Sequence, residues 1–375
     1  MATTTEPRAL RQTPFHDFHV AHGGKLVEYS GWSMPLHYGS IIDEHLQVRR
    51  SGGLFDVSHM GRLRFRGRDA IRFLDHLVTR NVADMQPDQV RYAMVCNDQG
   101  GCRDDVLVYR LDEAECLMVC NAANRAKLVE HIAATRGDMV FKMVDETEST
   151  AMVAVQGPAA MDLIAKFSRS IPELKRYRFQ QKQILIAKFL ISRTGYTGED
   201  GIEAILPKAL AGKAVKMMLG NLDAAEAVVR PCGLGARDSL RLEAGMALYG
   251  HEIDEATDPL SAGLQFAVNL DKAGGFIGQE ALQRIAESEP RTKLMGLLLE
   301  GRRAARQGME IRRHGETVGR VTSGCLSPSL DASIAMAHVN VEHAEPGTLV
   351  EVDLGRAVTA AAVCSLPFDY RSASS

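Results

Sequence analysis

The chain changes character at Pro290. Before it, segments with helical and strand periods alternate. From Lys293 onward the sequence consists of short strands split by Gly, Pro and Ser-rich turns, with hardly any helical period, the pattern of a small β-barrel or sandwich. One core cannot serve both patterns, and 375 residues exceed what one ordinary core organises, so two or three domains are predicted.

Ahead of that boundary the order of elements is specific. The run "IIDEHLQVRR" is helical in period and stops at Gly52-Gly53. From "GRLRFRG" the chain then reads strand, helix "RDAIRFLDHLVTR", three strands to about Cys120, helix "NRAKLVEHIAATR" and strand "MVFKMV". A second unit opens with strand "AMVAVQG" and helix "PAAMDLIAKF". It passes through a hairpin at Gly195 to Gly201 and closes with the helix after Gly233, with missing strands expected from the first 50 residues. The polar stretch "GHEIDEATDP" reads as a solvated connector followed by helix "IGQEALQRIAES". The predicted domains are 1–55 with 146–250, 56–145, a connector over 251–290, and a β-barrel over 291–375.

Composition narrows the class. Hydrophobic residues make up 45% and charged residues 24%, and no apolar run approaches the ~18 residues of a bilayer span, so a soluble globular protein with no membrane role is expected. The N-terminus lacks the apolar core of a secretory signal. A net charge of -3 gives no global case for nucleic acid. Seven cysteines without a C-x-x-C pair fit neither a disulfide framework nor a zinc ribbon, and suit a reducing cytoplasm.

Local clusters carry more. In "CNDQGGCRDDVLVYR" two aspartates open an apolar strand. Side chains alternate along a strand, so Asp104 and Asp105 point to opposite faces; if one face meets solvent and the other a cavity, one carboxylate is ordinary and the other needs a partner. In "RTGYTGEDGIEAIL", a hairpin loop, Glu203 shares its face with Ile205. Most strand glutamates are solvated, but this one could instead accept the adjacent ring N–H and amino groups of a flat heterocycle. "RPCGLGARDSLRLEAG" lacks the third glycine of a dinucleotide fingerprint. Its Arg237 and Arg241 share a helix face and suit an anionic tail or a structural carboxylate. Ser58 and His59 are adjacent and cannot pair as nucleophile and base; His59 reads as a core or turn histidine. The acids of "YGHEIDEATDP" match no metal-site spacing, and the basic runs "GRLRFRGR" and "EGRRAARQ" read as solvated faces, or as docking sites for an acidic partner.

Taken in order, "YSGWSMPL", "FDVSHMG", "NDQGGCRDDVLVY", "NAAN", "VQGP", "SRTGYTGEDG", "GLGARDSLRLEAGMALYG" and "VTSGCLSPSL" resemble the aminomethyltransferase (T-protein) family of the glycine cleavage system, from about Thr13 to Arg371. The resemblance implies an α+β protein of three domains in a cloverleaf around a central folate pocket. It implies transfer of a one-carbon unit from the aminomethyl-lipoyl arm of a transiently bound H-protein to tetrahydrofolate with release of ammonia, in the cytoplasm and without a metal. By the same resemblance Asp105 is the catalytic carboxylate beside the folate nitrogen, where a fixed charge can stabilise an iminium intermediate. Glu203 anchors the pterin, Arg237 binds folate, and Met60, Tyr92, Asn121 and Tyr196 line the pocket. Tyr370 and Arg371 fall where relatives contact the glutamyl carboxylate, and Phe266 stands where some relatives carry tryptophan. The alternative is another folate-dependent demethylase of the same fold.

Overall fold

The structure, a computed structural model, describes residues 9–184, 187–220 and 227–371. Two sheets lie face to face, each backed by helices. The first has five strands in the order Val90–Cys96, Cys102–Asp112, Glu115–Cys120, Gly61–Arg66, Lys142–Asp145. The helices Ala70–Leu77 and Arg125–Thr135 cover its outer face, burying Leu63, Phe65, Phe73, Val106, Val108 and Leu128. Phe73 packs on Phe141 with ring centroids 4.7 Å apart, a contact worth about 0.5–1.5 kcal/mol beyond area burial.

The second sheet has six strands, ordered Phe179–Ile184, Ala187–Ser192, Gly201–Pro207, Thr150–Gln156, Gly53–Asp56, Arg230–Cys232. Its outer face buries Ala151, Val153 and Ile202 under the helices Ala160–Ala165 and Ala211–Leu219. Its inner face meets the first sheet through Phe55, Met152, Ala154 and Ile205 against Tyr109, Leu117 and Val119. Odd-numbered residues of the strand Cys102–Asp112 point into this inter-sheet core and even-numbered ones toward the helices, as the pleat requires. The α+β class and the closed C-terminal barrel are both as expected, the barrel having six strands between Thr292 and Cys364.

Three expectations are corrected. The strands of the first 50 residues, Arg11–Gln12, Lys25–Tyr29 and Trp32–His37, pair with one another in a separate three-stranded sheet; only Gly53–Asp56 joins the larger one, because adjacent strands close a cheaper loop. The stretch around Glu252 is not a solvated connector. Glu252 is fully buried, bonded to Arg241 Nη1 at 2.7 Å, to the Thr322 hydroxyl at 2.6 Å and to the Leu248 N–H at 2.9 Å. Nor is "GRLRFRGR" a uniformly solvated face: Arg62 is buried and donates to the carbonyls of Ser58, Met60 and Thr147.

The helix Leu234–Glu243 joins these parts. Arg241 ties it to Glu252 and, at 2.7 Å, to Ser323 of the barrel. Glu243 accepts from His45, Arg49, Ser327 and Ser329. Breaking such a buried pair on one side leaves an uncompensated charge and costs about 3–5 kcal/mol.

Candidate functional site

The two aspartates share a donor, the Asn121 amide. Asn121 follows the strand Glu115–Cys120 directly, so its side chain leaves the sheet edge free to reach both faces of the neighbouring strand. Its amide nitrogen lies 2.7 Å from Asp104 Oδ1 and 2.7 Å from Asp105 Oδ1. The Asn121 backbone N–H donates to Asp104 Oδ2 at 3.1 Å, the Asn124 amide donates to Asp104 Oδ1 at 2.7 Å, and the Tyr92 hydroxyl donates to Asp105 Oδ2 at 3.1 Å.

Here the sequence expectation fails in one respect. The carboxylates do leave opposite faces, but neither face is solvent, and Asp104 is the more deeply buried of the two. Burial, and then the charge of Asp105, raise the Asp104 pKa; burial also raises that of Asp105, against the opposing donors Asn121 and Tyr92. The pair carries one negative charge readily and a second only at a cost.

The hairpin that presents the pair is pinned from outside. Asn97 accepts from Gly101 N–H at 2.9 Å and donates to the Glu255 carbonyl at 2.9 Å. A Cβ at Gly101 would collide with that carbonyl, so the close approach requires glycine.

A second group gathers around the loop after Ser192. Glu203 is 4% exposed, and among the described residues its side chain receives one hydrogen bond, from the Thr194 hydroxyl at 2.5 Å. A buried carboxylate accepts several donors, so this one is under-partnered. Arg237 lies with its guanidinium 4.9 Å from the centre of the Tyr196 ring, and among the described residues its buried Nη1 has no hydrogen-bond partner. Tyr196 donates to the Ala247 carbonyl at 2.5 Å, and burial raises its pKa, with the Asp105 charge pushing the same way.

Tyr370 is buried beneath Arg49, whose guanidinium is 4.0 Å from the ring centre, while Arg371 donates to the Gly198 carbonyl at 2.8 Å. Gly198 has φ +81°, and a Cβ there would strike the Tyr370 hydroxyl. Met60 packs at the edge of the inter-sheet core. Phe266 is 61% exposed and stacks on Tyr92, with ring centroids 6.0 Å apart. The structure thus joins Asp105, Asn121 and Tyr92 by hydrogen bonds, and Tyr196 with Arg237 by ring contact; Tyr370 and Arg371 meet the Tyr196 loop at Gly198. Sequence reasoning missed Asn124 and Thr194. Asn124 precedes a helix and reads as its cap, yet its side chain makes no cap hydrogen bond and goes to Asp104.

Among the described residues no cluster of His, Cys, Asp or Glu is arranged to hold a metal ion, and no helix is long and apolar enough to cross a membrane.

Residues 15–272 match the family model described as the GCVT N-terminal domain, and residues 292–369 that of the glycine cleavage T-protein C-terminal barrel domain. An aminomethyltransferase of Rubrobacter xylanophilus is 46% identical over 363 residues, 96% of this chain and 95% of that protein. One of Saccharopolyspora erythraea is 42% identical over 365 residues, 97% of this chain and 99% of that protein. The crystal structure of the glycine cleavage system aminomethyltransferase T of Bartonella henselae superposes with a TM-score of 0.90 at 33% identity, covering 96% of this chain and 99% of that one.

Proposed function

Because this chain belongs to the glycine cleavage T-protein family, we propose that Asp105 is the carboxylate beside which it moves a one-carbon unit from an aminomethyl-lipoyl carrier protein to tetrahydrofolate, releasing ammonia. The activity is that of an aminomethyltransferase. The alternative of another folate-dependent demethylase is not favoured, since relatives that match nearly the whole chain are aminomethyltransferases.

The observation that carries the residue assignment is the set of partnerless or under-partnered polar groups around the loop after Ser192. Among the described residues Arg237 Nη1 is buried without a hydrogen-bond partner, and Glu203 accepts one hydroxyl where it has room for more donors. These are the complements of a ligand with an anionic or acceptor group and a donor-rich ring edge, which fits a pterin with its tail. Glu203 holds the ring, Arg237 and the Tyr196 face hold the body, and Tyr370 with Arg371 meets the glutamyl carboxylate. Tetrahydrofolate supplies the nucleophilic nitrogen that accepts the carbon.

Asp105 contributes a fixed charge. Asn121 and Tyr92 hold both its oxygens, so it need not reorganise as positive charge develops at the transferred carbon, and the dry surroundings strengthen that interaction. Asp104 keeps the Asn121 amide in place and opposes a second charge. The carrier protein binds transiently, and the reaction belongs to the cytoplasm. The test is ammonia release from aminomethyl-loaded lipoyl carrier, with and without tetrahydrofolate. Release that ignores folate would sink the assignment.

A further inference from the structure

The hairpin that presents the aspartates also carries two of the seven cysteines, all of them free thiols. Along the strands Val90–Cys96 and Cys102–Asp112, Met94 stands opposite Asp105 and Val95 opposite Asp104. The register then shifts, and Cys96 stands opposite Cys102 with Arg103 left over as a bulge. Met94 and Cys96 are two residues apart on one strand, so the cysteine pair lies on the face of the hairpin that bears Asp105. Among the described residues no other registered strand pair sets two cysteines opposite each other.

The kind of pair matters. Antiparallel ladders alternate hydrogen-bonded and non-hydrogen-bonded pairs, and the adjoining pair is bonded, Asn97 N–H donating to the Gly101 carbonyl at 2.9 Å. Cys96 and Cys102 are therefore a non-bonded pair. In keeping with this, the Cys102 N–H turns out of the ladder to the carbonyls of Asp254 and Thr257, at 2.8 and 3.1 Å. Non-bonded pairs hold their Cα atoms about 4.5 Å apart with side chains on one face, inside the roughly 4.4–6.8 Å that a disulfide spans. The turn between the cysteines is fixed by Asn97, whose carbonyl accepts from Gly100 N–H at 3.0 Å and whose side chain accepts from Gln99 N–H at 3.0 Å. Bridging the pair calls for no rearrangement of the hairpin.

Both cysteines are fully buried, among Ile253, Phe276 and Leu282. Hydrogen bonding with the Cys96 thiol, then burial, raise the Cys102 pKa, and the Asp105 charge adds to the effect. Thiols in such surroundings are slow nucleophiles, and they react when the cover at Asp254 to Thr257 opens. We propose that Cys96 and Cys102 form a redox pair, which a low-molecular-weight disulfide converts into a cross-strand bridge that locks the hairpin presenting Asp105. One cysteine thiolate attacks the small disulfide and releases a thiol; the second cysteine then displaces the other half. Two S–H bonds of the protein give way to one S–S bond, and the small disulfide leaves as two thiols, having taken up both electrons and both protons.

The test uses the full chain without carrier or tetrahydrofolate, so its result is independent of the activity proposed above. Reduced protein is incubated in native buffer with glutathione disulfide, the remaining thiols are alkylated, and the peptides are mapped by mass. The expected product is an intramolecular bridge between Cys96 and Cys102, absent from Cys102→Ala. No reaction at these two cysteines overturns the proposal, as does a mixed disulfide with glutathione that persists on either, or a bridge that forms only in urea. Because the bridge closes a loop in the unfolded chain, the unfolding equilibrium constant of the bridged protein falls by about 10- to 100-fold in urea titration, and dithiothreitol restores the parent curve. Coincident curves for bridged and reduced protein would refute the lock.

Discussion

Replacing Asp105 by Asn removes a charge and little else. The new side chain keeps an oxygen to accept from Asn121 or Tyr92, and its amide fills nearly the same volume. Because burial already opposes ionisation at this position, neutralising it leaves folding stability unchanged or slightly raised. The loss falls on turnover. A preorganised electrostatic group of this kind is worth about 10²–10³ in kcat, or roughly 2.7–4 kcal/mol, while the tetrahydrofolate Kd moves little.

Asp104→Asn behaves differently. Three donors, the Asn121 N–H, the Asn121 amide and the Asn124 amide, converge on Asp104, and an asparagine offers them one oxygen and a competing NH₂. At least one buried donor is stranded, at about 1–3 kcal/mol each, so this variant loses stability. Its turnover falls less than that of Asp105→Asn. The assay is steady-state ammonia release with carrier and tetrahydrofolate, corrected for the folded fraction from urea titration. Should folded Asp104→Asn lose more kcat than Asp105→Asn, the charge used in the reaction would reside on Asp104 and the assignment would be wrong.

Other outcomes follow from the same geometry. Asp105 acts as a carboxylate with its pKa raised by burial, so activity is present above that pKa and is lost as pH falls through it; the acid limb of kcat/KM lies above the ordinary carboxylate range. An acid limb at the value of a free aspartate would contradict this. Glu203→Gln weakens tetrahydrofolate binding by roughly 1.5–3 kcal/mol, read by titration, and an unchanged Kd would place Glu203 outside the ligand's reach. For Glu243, burial is outweighed by His45, Arg49 and Ser327, which hold its pKa at about 2 against the usual 4.5. Its stabilisation is therefore complete above the usual value and is lost as pH falls from there toward about 2, a change on the order of 3 kcal/mol. Urea midpoints across that range fall steeply in the parent and flatten in Glu243→Gln; parallel curves would refute the linkage.

The strand bearing the aspartates was legible because period and alternation are local properties, and both survive in the structure. What covers each face is not local. Asp104 looked ordinary since nothing in "GCRDDVLVYR" announces that helix Arg125–Thr135 closes one face and the six-stranded sheet the other. Glu252 failed for a related reason: its partner Arg241 stands 11 residues away across a chain reversal, and a run of acids without a visible partner reads as solvated. The site residues named from sequence owe more to the resemblance than to pattern, for a strand glutamate such as Glu203 has no local sign that its face is buried.

The helix Leu234–Glu243 explains why a barrel remote from the aspartates belongs to this fold. Arg237 and Arg241 lie one turn apart, so fixing the second fixes the direction of the first. Arg241 is fixed at Glu252, Ser323 and the Met246 carbonyl, and the adjoining Ala247 carbonyl receives the Tyr196 hydroxyl. A buried ion pair of this kind adds little to stability relative to apolar packing of equal volume. Its physical effect here is orientation: the charges permit one register of helix against barrel, and that register stacks Arg237 on Tyr196 with Nη1 making no hydrogen bond among the described residues. An apolar seam could slide by a fraction of a turn at small cost, and the guanidinium would turn with it.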